Sequence, residues 1–393
     1  MTPNPALGVF FHWLGGLASG SFYVPYRGVK SWSWETYWLV GGVFSWLVAP
    51  WVLAFLLTRN LFTVLAATPL ETLFWCYLFG LLWGIGGLTF GLTMRYLGLS
   101  LGMAIVMGLC AAFGTLMPPL FSGVFMTEVA GTTSGRFVLL GIAVCLAGIA
   151  IAGMAGIAKE KSVPVELQQA SVKEFNLKKG FLVALISGVM SACFAYGLAA
   201  GNPIKALTIR AGTPPLWQGL PVLVVVLLGG FTTNFIWTLY LNIRNKTGRE
   251  YLSPRLASES GDLFHPPQPI EETALTGPTT SVLAHAPVAA ARETIRVPLL
   301  SNYLFCALAG VTWYMQFFFY SMGETKMGRY TFSSWTLHMA SIVIFSTLWG
   351  VGLKEWKGAS RAAVSLLLLG LTVLLCSTLI VGYGNYLASL HAR

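Results

Sequence analysis

The sequence predicts an all-α polytopic membrane protein with ten transmembrane helices in two inverted five-helix repeats. Three observations predict this fold. Of 393 residues, 55% are hydrophobic and only 10% are charged, against about 25% charged in soluble domains. Apolar runs long enough to cross a bilayer, which takes about 20 residues, occur ten times, at roughly 7–25, 37–57, 73–94, 97–121, 136–157, 180–200, 216–241, 299–320, 331–353 and 362–387. Residues of the first half also return in order in the second. A shift of 172 pairs Gly8 with Gly180, Gly16 with Gly188, Ser19 with Ser191 and Phe22 with Phe194. Near 228, Met94 meets Met322, and at 229 Gly141, Val144, Ile151 and Gly153 meet Gly370, Val373, Ile380 and Gly382. The shift grows by about the length of one long polar interruption. An odd number of spans per half forces the halves into opposite orientations, the plan of many secondary transporters. The expected division is 1–160 and 161–393, the second half carrying a disordered cytoplasmic loop at 243–297.

The net charge of +10 resides in the loops, so it reads as a topology signal and not as a nucleic-acid surface. Arg27, Lys30, Arg95, Lys159, Lys161 and most other basic residues follow odd-numbered spans. Arg59, Arg136, Lys205, Arg210, Lys326 and Arg329 follow even ones. The bias places the odd loops in the cytoplasm and both termini outside. No basic residue precedes the first apolar run, so a cleaved signal peptide is not expected. Cys76, Cys110, Cys145, Cys193, Cys306 and Cys376 fall in apolar runs without metal-ligand spacing and read as small core residues. No metal or cofactor is implied.

In the first span, His12 reads as an interface residue more readily than as a proton carrier, and Tyr23 follows near its end. Ser33 can cap the second helix, with Glu35 in the first turn favouring the helix dipole. The sharper alternative for Glu35 is a gate ion pair with Arg27 or Lys30. The third span and its turn place Gly80/Gly84, Gly87/Gly91 and Gly98/Gly102 at the small-xxx-small spacing that lets helices approach closely. Gly84-x-Gly86 lacks the third glycine and the strand–helix context of a dinucleotide site. Pro118-Pro119 end or kink the fourth span. Residues 158–179 are polar and Lys-rich. Residues 243–297, rich in Pro, Ser, Thr, Ala and Glu, have no periodicity, and their His265 and His285 read as solvated.

The densest chemistry lies between Trp313 and His338. This stretch places Gln316, Tyr320, Glu324, Trp335 and His338 at or near membrane depth. Ionisable groups there cost roughly 2.5–3.5 kcal/mol each on insertion scales, so they usually face a polar cavity. Flat rings beside hydrogen-bonding groups suit a sugar, whose C–H faces they cover while Gln, Tyr and His meet its hydroxyls. The plainer reading is that the aromatics mark the interface and Gln316 bonds a neighbouring helix. Gln316 and Tyr320 are four apart and share a face. They are expected to line a sugar site with Trp335, His338, Trp83 and, opposite them, Tyr23. A histidine titrates near 6.5, closer to the working range than a carboxylate near 4.3. His338 is therefore the first candidate for proton coupling, Glu324 the second and Glu35 the third, with a neutral His338 bonding a neighbouring helix as the bland alternative.

Longer motifs carry a family resemblance. Phe11-His12-Trp13, Trp32-Ser33-Trp34-Glu35-Thr36, Trp83-Gly84-Ile85-Gly86, Gly91-Leu92-Thr93-Met94-Arg95-Tyr96-Leu97-Gly98, Glu174-Phe175-Asn176-Leu177-Lys178-Lys179-Gly180, Trp313-Tyr314-Met315-Gln316-Phe317-Phe318-Phe319-Tyr320 and Leu353-Lys354-Glu355-Trp356 resemble the bacterial L-rhamnose–proton symporter family of the drug/metabolite transporter superfamily. The resemblance covers nearly the whole chain outside the long loop. It implies ten helices in the inner membrane and proton-driven uptake of a deoxy sugar. The chain departs from the family pattern at Thr331, Glu324 and Gly87, where Asp, His and Asn are expected. The resemblance thus leaves open which residue carries the proton and whether the sugar is rhamnose or a relative such as fucose.

The expected partners are a small sugar, protons and the lipid bilayer, with no nucleic acid; the oligomeric state is not given. An exporter of metabolites or drugs is the alternative within the class. Outside it stand a membrane sugar sensor, for whose output the long loop has no recognisable motif, and a membrane enzyme. Against an enzyme, the chain has no phosphate loop, no His-x-x-x-His pair and no Ser/His/Asp set.

Overall fold

In the computed structural model, the described residues are 3–161, 176–257 and 294–390. The helices begin and end where local chemistry directs. Helix α1 (Pro5–Ser21) starts with Pro5 in its first turn, and the Asn4 side chain accepts the Leu7 N–H at 3.1 Å. Helix α2 (Trp34–Leu57) widens into a π-helical segment over Val43–Val48, just ahead of Pro50. Proline cannot donate a backbone hydrogen bond, and one wide turn accommodates that loss without a break. Helix α3 (Leu70–Leu97) stops at Gly98, which has the positive φ of 82° that suits glycine. Helix α4 (Leu99–Phe121) carries Pro118 and Pro119 in its last turn. Helices α5 (Thr133–Glu160) and α6 (Leu177–Ala200) are capped by Thr132, accepting from Gly135 at 3.1 Å, and by Asn176, accepting from Lys179 at 3.0 Å. Helices α7 (Leu220–Asn245), α8 (Leu299–Glu324), α9 (Ser334–Gly352) and α10 (Arg361–Leu390) complete the bundle.

Among the described residues, nine helices are long and apolar enough to cross a membrane, where ten were expected. The difference lies in α1. Its 17 residues reach about 26 Å at 1.5 Å each, short of a hydrocarbon core of about 30 Å, and a separate turn, Tyr23–Tyr26, continues the chain.

Helix α1 packs between α8 and α9, α6 packs between α3 and α4, and α5 pairs with α10 along their length. Helix α7 lies against α3, and α2 against α7 and α8. Small residues permit these approaches. A methyl on Gly80 would collide with the Val226 carbonyl, and one on Gly16 with Ser341. Gly87 and Gly91, expected to pack in the same way, face open space. Five cysteines are buried as expected, but Cys376 is exposed.

The expectation of disorder throughout 243–297 needs correction at its edges. Helix α7 continues to Asn245, a 3₁₀ turn covers Thr247–Tyr251, and strands β1 (Arg255–Ala257) and β2 (Thr294–Arg296) pair antiparallel, Ala257 opposite Thr294. Tertiary contacts order this polar segment. Glu250 accepts from the Ser33 N–H at 2.7 Å and from the Ser33 hydroxyl at 2.8 Å, and Tyr303 donates to the Tyr251 carbonyl at 2.9 Å. Ser33 does stand at the N-cap of α2, but its hydroxyl serves Glu250 and Thr36 instead of a helix N–H. His265, His285, His391 and residues 162–175 lie outside the described residues.

Candidate functional site

Helices α1, α8 and α9 meet at Tyr320. Its ring stands edge-on between two imidazoles, His12 of α1 at 5.2 Å and His338 of α9 at 5.3 Å between centroids. Trp335 lies one helical turn from His338 and 5.9 Å from Tyr320. An aromatic column continues from there. Phe194 stacks on Trp335 at 5.9 Å and on Phe317 at 4.0 Å, and Trp83 closes on Phe194 at 4.9 Å. Trp313 joins it 5.7 Å from Trp83 and 5.5 Å from Trp46.

Both imidazoles are fully buried, and none of their four ring nitrogens has a hydrogen-bond partner among the described residues. The buried Tyr314 hydroxyl and the hydroxyls of Ser321 and Ser334 are equally unpartnered. Gln316, one turn before Tyr320, is 4% exposed, and its amide has no hydrogen bond among the described residues. A buried polar group left unpaired costs about 1–3 kcal/mol. The two imidazoles that flank Tyr320 are hydrogen-bonding capacity of the kind a polar ligand uses.

The structure therefore brings together Gln316, Tyr320, Trp335 and His338, with Trp83 at the far end of the same column. Trp335 presents only its ring faces, because its indole N–H is donated to the Cys110 carbonyl at 3.0 Å. Tyr23 is not opposite this group. It is 54% exposed, stacks with Trp38 at 6.4 Å and lies tilted against Phe22 at 4.1 Å, and among the described residues it makes no ring or hydrogen-bond contact with the other expected residues. The expected neighbour that sequence reasoning set aside is His12. It is no interface residue but a wall of the site.

The two candidate carboxylates stand apart from the column's centre. Glu324, one turn beyond Tyr320, accepts from Lys205 Nζ at 2.8 Å. Glu35, 5% exposed, accepts from Asn245 Nδ2 at 2.9 Å and Thr247 Oγ1 at 3.0 Å. Neither partner expected for Glu35 takes that role. Arg27 reaches Glu355 at 3.5 Å, and the Lys30 backbone is bracketed by the Asn302 side chain. Beyond Trp313, the cavity lined by Phe22, Tyr26, Trp38, Ser45, Trp46 and Trp313 measures only about 10 Å³, against about 300 Å³ or more for a small-molecule pocket.

A helical bundle of apolar spans around a buried cluster of aromatic and hydrogen-bonding side chains defines a multi-pass membrane protein. The family model for the L-rhamnose-proton symport protein (RhaT) matches residues 1–249 and 281–387, and the chain belongs to that family. It is similar to the L-rhamnose-proton symporter of Yersinia pestis (strain Pestoides F), 35% identical over 379 residues covering 96% of this chain and 97% of the relative. The L-rhamnose-proton symporter of Salmonella paratyphi A (strain ATCC 9150 / SARB42) is 36% identical over 381 residues, again 96% and 97% of the two chains.

Proposed function

We propose that this protein carries L-rhamnose, or a related deoxy sugar, together with protons across the bacterial inner membrane by alternating access. The observation that carries the reading is the group around Tyr320. His338 and His12 hold ring nitrogens that no described residue engages, and Gln316 and Tyr320 stand with them beside the flat faces of Trp335, Phe317 and Trp83. That is the chemistry a sugar needs, hydroxyls met at the edge and C–H faces covered by rings. His338 is the proposed proton site. Glu324 and Glu35, both engaged by donors, act as ties that hold the two ends of the bundle and exchange partners as access alternates.

The proposed mechanical units are the five-helix halves 1–160 and 161–393, with α1 as the tenth span. Partner exchange supports this reading. Helix α1 lies between α8 and α9 as α6 lies between α3 and α4, and α5 pairs with α10, which is the relation an inverted repeat produces. Loop charge supports cytoplasmic odd loops and external termini. Labelling of Lys246→Cys from outside intact cells would contradict that orientation.

The testing experiment is counterflow of labelled sugars in proteoliposomes across a panel of deoxy sugars, with and without a pH gradient. L-rhamnose should exchange fastest. A gradient equivalent to 100 mV, about 2.3 kcal/mol per charge, should support roughly fifty-fold accumulation at one proton per sugar. Exchange without gradient-driven accumulation would remove the proton from the reading.

A further inference from the structure

Resting on that reading, we infer that His12 is a second proton-coupling residue, and that His12 and His338 share one proton across Tyr320. Both rings contact Tyr320, at 5.2 and 5.3 Å, and both are wholly buried with neither nitrogen engaged. A neutral imidazole has one donor and one acceptor nitrogen. The pair therefore surrounds the tyrosine with two free acceptors, each able to take a proton.

The geometry is held, not incidental. The Ser341 hydroxyl lies 2.9 Å from the His12 carbonyl and 2.8 Å from the His338 carbonyl, tying the backbones of both histidines to one atom. Glycine at 323 leaves room for the His12 ring, since a methyl there would sit 2.8 Å from His12 Nε2. Glycine at 15 lets α1 approach the Gln316 carbonyl, 2.8 Å from where a methyl would sit, and that methyl would be in ordinary contact with His338 Nδ1 at 3.5 Å. The His12 ring thus occupies space cleared on the facing helix, and His338 packs against the α1 backbone beside Gly15.

The charged surroundings favour a single proton. On α8, Glu324 lies one turn from Tyr320 and is neutralised by Lys205, and Lys326 follows. Helix α9 brings only His338 to this depth, and Tyr383 and Tyr386 of α10 are half exposed on its outer side. Two imidazolium rings that both contact Tyr320 can be no farther apart than its two centroid distances of 5.2 and 5.3 Å together, and at an effective dielectric near 20 that would disfavour the second proton by about tenfold or more. In the transport step, the acceptor nitrogen of one neutral imidazole takes a proton from the outer aqueous side. The imidazolium releases it from the same pair when the site faces inward, and the Tyr320 phenol stays neutral throughout.

The test is a proton count on the full chain in detergent. Wild type, His12→Gln, His338→Gln and the double variant are titrated between about pH 4 and 8, the range around the ordinary histidine value. A shared proton predicts that each single variant takes up as many protons as the wild type and the double variant one fewer. Losing one proton in each single variant and two in the double overturns sharing, as does an unchanged double variant. In proteoliposomes, His12→Gln should lose accumulation, from roughly fifty-fold to none, in greater proportion than it loses L-rhamnose counterflow, because the remaining imidazole holds the proton with no second acceptor to pass it to. Wild-type accumulation by His12→Gln overturns the coupling role. If His12→Gln does not fold, His12→Asn enters the same two assays. The titration uses no sugar, so failure of rhamnose exchange in the wild type would strike the symport reading alone.

Discussion

At the centre of the bundle, the ring nitrogens of His12 and His338 bond to nothing among the described residues. At its two ends, Glu35 and Glu324 are each held by side-chain donors on another element. Burial alone therefore does not mark a working group. A carboxylate whose lone pairs are filled by Asn245 and Thr247, or by Lys205, is doing structural work in this conformation. An imidazole with both nitrogens open holds unspent capacity for a proton or a hydroxyl. The ends also differ from one another. The Glu35 end is closed by neutral donors, whereas the Glu324 end is closed by an ion pair, whose rupture strands a partly buried charge.

The comparison breaks most visibly in transport. His338→Gln should abolish accumulation, a loss of roughly fifty-fold, while counterflow persists. Glu324→Gln should still concentrate sugar. The reverse pattern in the same proteoliposomes would move the proton from the centre to the end. Next in size is Lys205→Ala. It leaves Glu324 unpaired with side chains only 11% and 18% exposed, and thermal unfolding should report a loss of about 1.5–3 kcal/mol. A Lys205/Glu324 double-mutant cycle isolates the pair. At the neutral end, Glu35→Gln keeps an oxygen that can accept from Asn245 and Thr247. Its cost should stay below about 1 kcal/mol, and Glu35→Ala should exceed it. Trp335→Phe should lose about 0.5–1.5 kcal/mol of stability with the Cys110 hydrogen bond. Rhamnose binding by calorimetry should hardly change, because that N–H is already occupied. The smallest effect belongs to Tyr23→Phe, which should leave rhamnose affinity within about twofold of wild type.

Much of this was legible in the sequence. Apolar length placed the nine membrane-long helices but also counted α1, which is shorter, and it missed the short helices Leu61–Ala67 and Asn202–Arg210; the 313–338 stretch marked Gln316, Tyr320, Trp335 and His338 before they were seen to meet. What escaped was tertiary. His12 looked interfacial from its place near the end of a span. Yet Gly8, Gly15 and Gly16 stand three or four residues from it on the same face, and a glycine-lined face is one that another helix covers. That signal could have found it. Tyr23 was assigned from its proximity in sequence to the first span, but it is half exposed and stacks on Trp38 of α2 instead. The folded flanks of the long loop were hidden because polar composition reports the absence of an apolar core. It does not report that Glu250 and Asn245 find buried partners on α2.

The β1–β2 ribbon gives the chain a seam at which it can be re-cut. Ala257 and Thr294 sit opposite each other in register, so the two ends of the intervening segment are already joined by backbone hydrogen bonds. The family model leaves 250–280 unmatched. A two-residue Asn-Gly turn suits an antiparallel pair of this kind, and loop length itself weighs only logarithmically on stability. Joining the strands directly should yield a shortened protein that folds, or a rigid handle grafted there for imaging should sit in fixed orientation on the bundle.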